Sequence, residues 1–225
     1  MAKLEILKFP DPNLRKKCKP VDKVTDELAQ FANDMLETMY AHRGIGLAAA
    51  QVNRQIRLIV IDTRRPEDDS REGPEDDSRE GPEDEVNERE LRDELGEPVF
   101  EKNIAQPLIL FNPVVKKKEG KITYNEGCLS VPTYFEVVER ARIIEVEALN
   151  IEGKKIEFKT DGLLAICIQH EIDHLDGKLF IDRLSPIKSA RIKAKIRKFG
   201  YSTDQKDDDE SDKGEESKTP SEHRL

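Results

Sequence analysis

The chain has 225 residues, enough for one domain with appendages, and its formal charge of −9 is spread unevenly. Residues 62–98 hold 17 Asp or Glu against 6 Arg, and residues 202–225 hold 9 against 4 basic residues; these stretches carry −11 and −5, so the rest is +7 and suits an anionic surface such as RNA. No apolar run approaches the roughly 18 to 20 residues that span a bilayer, Met1 to Glu5 lack the apolar core of a secretory signal, and the scattered Cys18, Cys128 and Cys167 make no disulfide framework, so a protein that stays in the reducing cytoplasm is expected.

In chain order, Leu28, Phe31, Ala32, Met35, Leu36 and Met39 recur at three- and four-residue spacing and predict a helix over about 25–42. Asp22 or Thr25 is its candidate cap and Gly44 its candidate end. Runs rich in branched residues at 56–61, 108–115, 121–124, 135–138, 143–149 and 155–158 predict strands. After Asp161, the apolar Leu163, Leu164, Ala165, Ile166 and Ile168 predict a buried helix that continues through His174. Ser185-Pro186 then supplies an N-cap and a first-turn proline for a third helix at about 187–199. Strands grouped between separated helices predict an α+β fold, with mixed or antiparallel sheets packed around the second helix.

The octapeptide Pro-Glu-Asp-Asp-Ser-Arg-Glu-Gly occurs at 66–73 and again at 74–81. Such a sequence buries too little apolar surface to fold alone, so residues 64–104 are expected to form an inserted, mostly disordered loop, helical around 86–95. A long loop is cheap, since each doubling of length costs only about 0.6 kcal/mol. Residues 202–225 read as a disordered polar tail, which leaves residues 1–201 as a single domain interrupted by the insertion.

The chemistry is concentrated in Gln169-His170-Glu171-Ile172-Asp173-His174. On a helix, His170 and His174 stand one turn apart on one face, where both imidazoles reach one metal ion. Glu171 is offset by about 100°, which puts its carboxylate beside that ion, in place to handle the proton of a water. Two histidines are too few for a catalytic site, which uses three protein ligands and one water. The sequence imitates the HExxHxxGxxH metalloprotease pattern until Phe180 stands where the third histidine belongs. Cys167 shares the face of His170 and His174 but lies about 10.5 Å along the axis from His174, too far for a thiol, and reads as core or pocket wall.

Cys128, in Glu126-Gly127-Cys128-Leu129-Ser130, falls on a turn between two predicted strands and is free to approach from outside the helix. Taken alone it is an ordinary small buried hydrophobe; beside an incomplete histidine pair it becomes the candidate third donor. Gly44-Ile45-Gly46-Leu47-Ala48-Ala49-Ala50-Gln51 fits either a helix end packed tightly on a sheet or backbone brought close to a ligand, with the Gln51 amide as donor.

These three segments, in this order, resemble the three signature motifs of the peptide deformylase family, and the likeness runs from about Leu4 to Phe199 around the acidic insertion, with a helical C-terminal segment similar to the bacterial type. The resemblance implies that Cys128, His170 and His174 bind the metal, that Glu171 is the general acid/base, and that Gln51 with the backbone N–H of Leu129 stabilises the oxyanion. It implies that Gly44, Ile45, Gly46, Leu163, Ile166 and Cys167 line the place of the substrate backbone and methionine side chain. The sequence departs from the family pattern after Pro132, where Tyr134 and Phe135 stand in a region that often carries a polar or basic residue. The implied cofactor is one divalent ion, Fe²⁺ first, with Zn²⁺, Ni²⁺ or Co²⁺ as alternatives, because thiolate and imidazole suit several. The implied reaction removes formyl from the N-terminal methionine of new polypeptides in the cytoplasm.

Lys188, Arg191, Lys193, Lys195, Arg197 and Lys198 make the last helix basic, with Ile187, Ala190, Ala194 and Phe199 expected to face the body. Either it is a solvated structural helix or, since the family works on nascent chains, its basic face docks on ribosomal RNA; neither membrane nor DNA is implied as a partner. Two other classes stay open from the residues alone: a metallopeptidase with an extended cleft, and a non-catalytic metal module with no free coordination position.

Overall fold

Thr25 opens the first helix: its hydroxyl accepts the Leu28 N–H at 3.3 Å, and α1 runs over Asp26–Ala41. Such a cap contributes about 1 kcal/mol, and Asp26 and Glu27 complement the dipole in the first turn. The helix stops one residue earlier than Gly44 predicts. Arg43 takes the left-handed backbone at φ 54°, and the Gly44 N–H bonds back to Met39 O at 2.9 Å. Gly44 is needed for closeness instead, because a Cβ there would lie 2.8 Å from Leu129 Cδ1.

The computed structural model describes residues 3–64 and 98–201. Five strands, β1 (Gly46–Ala48), β2 (Leu58–Ile61), β3 (Leu108–Glu119), β6 (Ile143–Leu149) and β7 (Lys155–Thr160), form a sheet in the order β1-β2-β3-β6-β7, every neighbouring pair antiparallel. The strands β4 (Ile122–Cys128) and β5 (Val131–Arg140) make a separate antiparallel hairpin. Six strands were legible as branched runs; β1 was not, because Gly46, Leu47 and Ala48 carry no β-branched residue.

Alternation along β2 shows where the core sits. Leu58 and Val60 pack with Met35 and Met39 of α1, whereas Ile59 and Ile61 face the other way, into Leu164, Cys167 and Ile168. All four are fully buried, so the strand is apolar on both faces and separates two helices. Those three partners belong to α2 (Gly162–Leu175), which lies against the sheet on one side and the β4–β5 hairpin on the other. Burying each Leu or Ile contributes roughly 1.5 to 3 kcal/mol, so both helices are fixed firmly to β2.

A third cluster joins Phe9, Leu14, Val131, Val138, Phe180, Ile192 and Ile196, and so ties the hairpin to α3 (Pro186–Phe199). Ser185 caps α3 by accepting the Lys188 N–H at 3.4 Å, with Pro186 in its first turn. The body-facing stripe differs from the expected one. Ser189, Ile192 and Ile196 are buried, while Ile187, Ala190, Ala194 and Phe199 are not. Both sets satisfy helical spacing; Phe9, Leu14 and Phe180 offer the apolar surface that selects the first.

Of the expected insertion, residues 65–97, including the repeat and the expected helix at 86–95, lie outside the described residues, as does the tail at 202–225. Residues 98–104 are held on the body: the Asp161 carboxylate accepts N–H bonds from Val99, Phe100 and Glu101 at 2.8 to 3.0 Å. Thr63, at the other end, bonds Gln106 and Glu101. The two ends of the excursion are thus joined at one place. No helix among the described residues is long and apolar enough to cross a membrane.

Candidate metal centre

His170 and His174 project from one face of α2 with ring centroids 5.1 Å apart and planes at 66°. The hairpin delivers a sulfur to them. A register shift between Glu126 and Cys128 turns the end of β4, and Cys128 Sγ comes to 3.2 Å from His174 Nε2. The ligand atoms of Cys128, His170 and His174 all lie within 4.8 Å of one another.

Glu126, on the same strand, accepts from His170 Nδ1 at 2.8 Å, which turns Nε2 of that ring toward Cys128. Arg140 grips both oxygens of Glu126 at 2.6 and 2.8 Å and reaches Asp173 with its third nitrogen, and Arg183 also bonds Asp173. Burial pushes the Glu126 carboxyl up, but hydrogen bonds from Arg140 and His170 outweigh it and hold it below the usual carboxylate range. The histidines divide unequally. Burial pulls His170 down, yet Cys128 and Glu126 hold it well above its ordinary value; burial and the neighbouring His170 push His174 well below.

Among the described residues, the buried side-chain atoms Glu171 Oε2 and His174 Nδ1 have no hydrogen-bond partner. Burial pushes the Glu171 carboxyl up to about 7, with His170 pulling against it and Glu126 adding to it. A buried carboxylate oxygen left unpaired is costly unless a cation or proton meets it, and His174 turns its other nitrogen, Nε2, toward Cys128. One ion bound at about 2.0 to 2.3 Å from nitrogen and sulfur keeps three such donors within roughly 4 Å, close to the spread found here. The donor set therefore fits a divalent metal, held by Cys128, His170 and His174.

Gln51 is buried, its Oε1 fixed by the Ala48 N–H at 2.8 Å, so its Nε2 is aimed at Ser130 Oγ at 3.2 Å and Cys128 Sγ at 3.7 Å. A Cβ on Gly46 would lie 2.5 Å from Glu171 Oε1 and 2.6 Å from Cys167 Sγ, so β1 passes directly over the carboxylate. Cys167 Sγ faces Ile45 O at 3.7 Å, and a Cβ on Gly44 would abut Leu129. Ile166, buried, and Leu163, half-buried, precede His170 by one and two turns on its own helix face.

Phe180, where the metalloprotease pattern has a third histidine, stacks on His170 with centroids 6.2 Å apart and planes at 22°. It supports a ring rather than offering a donor. Sequence reasoning missed Glu126, Arg140, Asp173 and Ser130. The one signal present was chemical: a buried polar helix needs counter-charges.

Comparisons with known proteins point to one family. The family model described as polypeptide deformylase matches residues 3–190. A peptide deformylase of Acinetobacter baumannii (strain SDF) is 44% identical over 200 residues, covering 88% of this chain and 93% of its own. One from Neisseria gonorrhoeae is 41% identical over 198 residues, covering 88% and 96%. Among solved structures, a peptide deformylase from Legionella pneumophila aligns with a TM-score of 0.66 at 37% identity, covering 88% of this chain and 95% of its own. The peptide deformylase of Ehrlichia chaffeensis in complex with actinonin aligns with a TM-score of 0.70 at 32% identity, covering 90% and 100%.

Proposed function

The chain belongs to the polypeptide deformylase family, a family of hydrolases, and from that premise we propose that it cleaves the formamide of N-terminal formyl-methionine on newly made polypeptides, releasing formate. The observation that carries this reading is the meeting of Cys128, His170 and His174 at the helix that carries Glu171, whose buried Oε2 has no partner among the described residues, with the Gln51 amide held 3.7 Å from Cys128 Sγ.

A divalent ion, when bound by Cys128, His170 and His174, supplies a lowered pKa for water and a pull on the formyl oxygen. α2 is then the central metal-binding helix of the fold. Glu171 takes a proton from the attacking water and passes it to the α-amine nitrogen as the C–N bond breaks. Gln51 Nε2 and the Leu129 N–H donate to the formyl oxygen as it gains charge. Gly44, Ile45 and Gly46 present backbone to the substrate, and Leu163, Ile166 and Cys167 receive the methionine side chain. Glu126 holds His170 in the tautomer that directs Nε2 inward, as partners of metal-bound histidines do.

Fe²⁺ is the ion proposed, with zinc, nickel and cobalt as substitutes that the donor set also suits. The chemistry belongs to one catalytic domain over residues 1–201, in which the insertion at about 64–104 and the tail at 202–225 take no part. The protein works in the cytoplasm, and the exposed basic residues of α3 dock it on ribosomal RNA near emerging chains. Unchanged co-sedimentation with ribosomes after those residues are neutralised would count against the docking.

The experiment on the reaction compares formate release from formyl-Met-Ala-Ser with cleavage of the unmodified peptide. Formate without peptide cleavage supports the deformylase reading; peptide cleavage points to a metallopeptidase, and neither product to a non-catalytic metal module.

A further inference from the structure

A second polar feature stands apart from the hydrolytic chemistry. An open cavity of about 950 Å³ lies between α3, the turn that carries Arg15 and the segment after α2. Its cations outnumber its anions. Asp182 alone serves both Arg15 and Lys193, and Arg183 shares Asp173 with Arg140. Glu139, also on the wall, is engaged by Lys121. Lys178 and Arg197 are left without a carboxylate among the described residues, and Arg197 rests over the Phe9 ring at 5.9 Å.

The chain leaves the described body at the edge of this cavity. The Tyr201 hydroxyl donates to Phe9 O at 2.8 Å, and Phe9 is itself part of the lining. Beyond Tyr201 the chain turns acidic, with Asp207-Asp208-Asp209-Glu210 in a row and then Asp212, Glu215 and Glu216. The four consecutive acids begin six residues after Tyr201, so an extended chain reaches about 20 to 30 Å, far enough to return over Lys193 and Arg197. A tethered segment has an effective concentration on the order of millimolar, which lets weak, salt-sensitive pairing fill such a site.

We propose that residues 207–216 of this chain occupy the cationic cavity lined by Arg15, Lys178, Lys193 and Arg197, as an intramolecular competitor of polyanions that would bind there. The idea does not depend on the hydrolytic reading, since none of these residues touches the metal donors. It gives the acidic tail a role: at low occupancy by the tail, the cavity accepts phosphate backbones, and at high occupancy it does not.

The test uses the full chain and a full-length variant carrying Asp207→Asn, Asp208→Asn, Asp209→Asn and Glu210→Gln. The neutralised chain should bind a labelled twelve-residue oligouridylate about tenfold more tightly at low salt. That gap should close when Lys178→Ala and Arg197→Ala are added to both. Carbodiimide cross-linking should join the tail to Lys178 or Lys193 within one chain, and about 1 M salt should abolish the links. Equal affinities for the two chains, a gap that survives loss of Lys178 and Arg197, or tail links spread over distant lysines such as Lys116 and Lys155 would overturn the proposal. If neither chain binds the probe, the cross-link pattern decides.

Discussion

Glu126 Oε2 and His170 Nδ1 are 2.8 Å apart, and this contact makes the hairpin a working part of the histidine site. The strand that brings Cys128 also brings the carboxylate that orients His170, so one element sets both the sulfur and the ring.

Replacing that carboxylate by an amide keeps the shape and removes the charge. Glu126→Gln should lower metal retention about 10- to 100-fold, as losses of such supporting partners do, with activity falling in step. Competition against a chelator measures it, and unchanged retention would show that Glu126 only neutralises Arg140.

The Gln51 amide is aimed by the Ala48 N–H, and the role proposed for it is in the transition state. Gln51→Ala should lower kcat about 100- to 1,000-fold with metal content unchanged. A rise in KM alone would contradict the role.

Gly46 leaves no room for a methyl group between β1 and Glu171. Gly46→Ala should abolish most activity by displacing the carboxylate and Cys167, and adding Cys167→Ala should recover part of it. Full activity in the single variant would mean that β1 does not crowd the site.

Asp161 links the returning end of the insertion to the start of α2 through three N–H bonds. Burial pushes its carboxyl up, but those donors hold it below the ordinary value of 3.8. The sign follows: its contribution is fully present above the unfolded pKa and is lost as pH falls through the lower folded value. Asp161→Asn should therefore cost about 2 kcal/mol at neutral pH, and the difference from the parent should shrink below about pH 4. Urea unfolding at pH 7 and pH 3 checks it.

Much of this arrangement was legible in the residues. The α1 stripe, the Thr25 cap, the Ser185-Pro186 start and the pairing of His170 with His174 are local patterns, each set within one or two turns. Cys128 could be reached by chemical need, since two histidines were short of a donor. What stayed hidden depends on register between distant segments. Glu126, Arg140 and Asp173 come together only once the hairpin is laid against α2, and no spacing along the chain encodes that. The face of α3 failed for a related reason: Ile187-Ala190-Ala194 and Ser189-Ile192-Ile196 are both helical stripes, and the choice lies in Phe9 and Phe180, outside the helix itself.

The claim beneath the whole account is that Cys128 shares one ion with His170 and His174. X-ray absorption at the metal edge of anaerobically purified protein, beside metal content and formate release, tests it most directly. One sulfur at about 2.3 Å, two imidazoles and one light, exchangeable oxygen donor are predicted, with the sulfur lost in Cys128→Ala. A spectrum without sulfur, or with four protein donors and no exchangeable position, would contradict it.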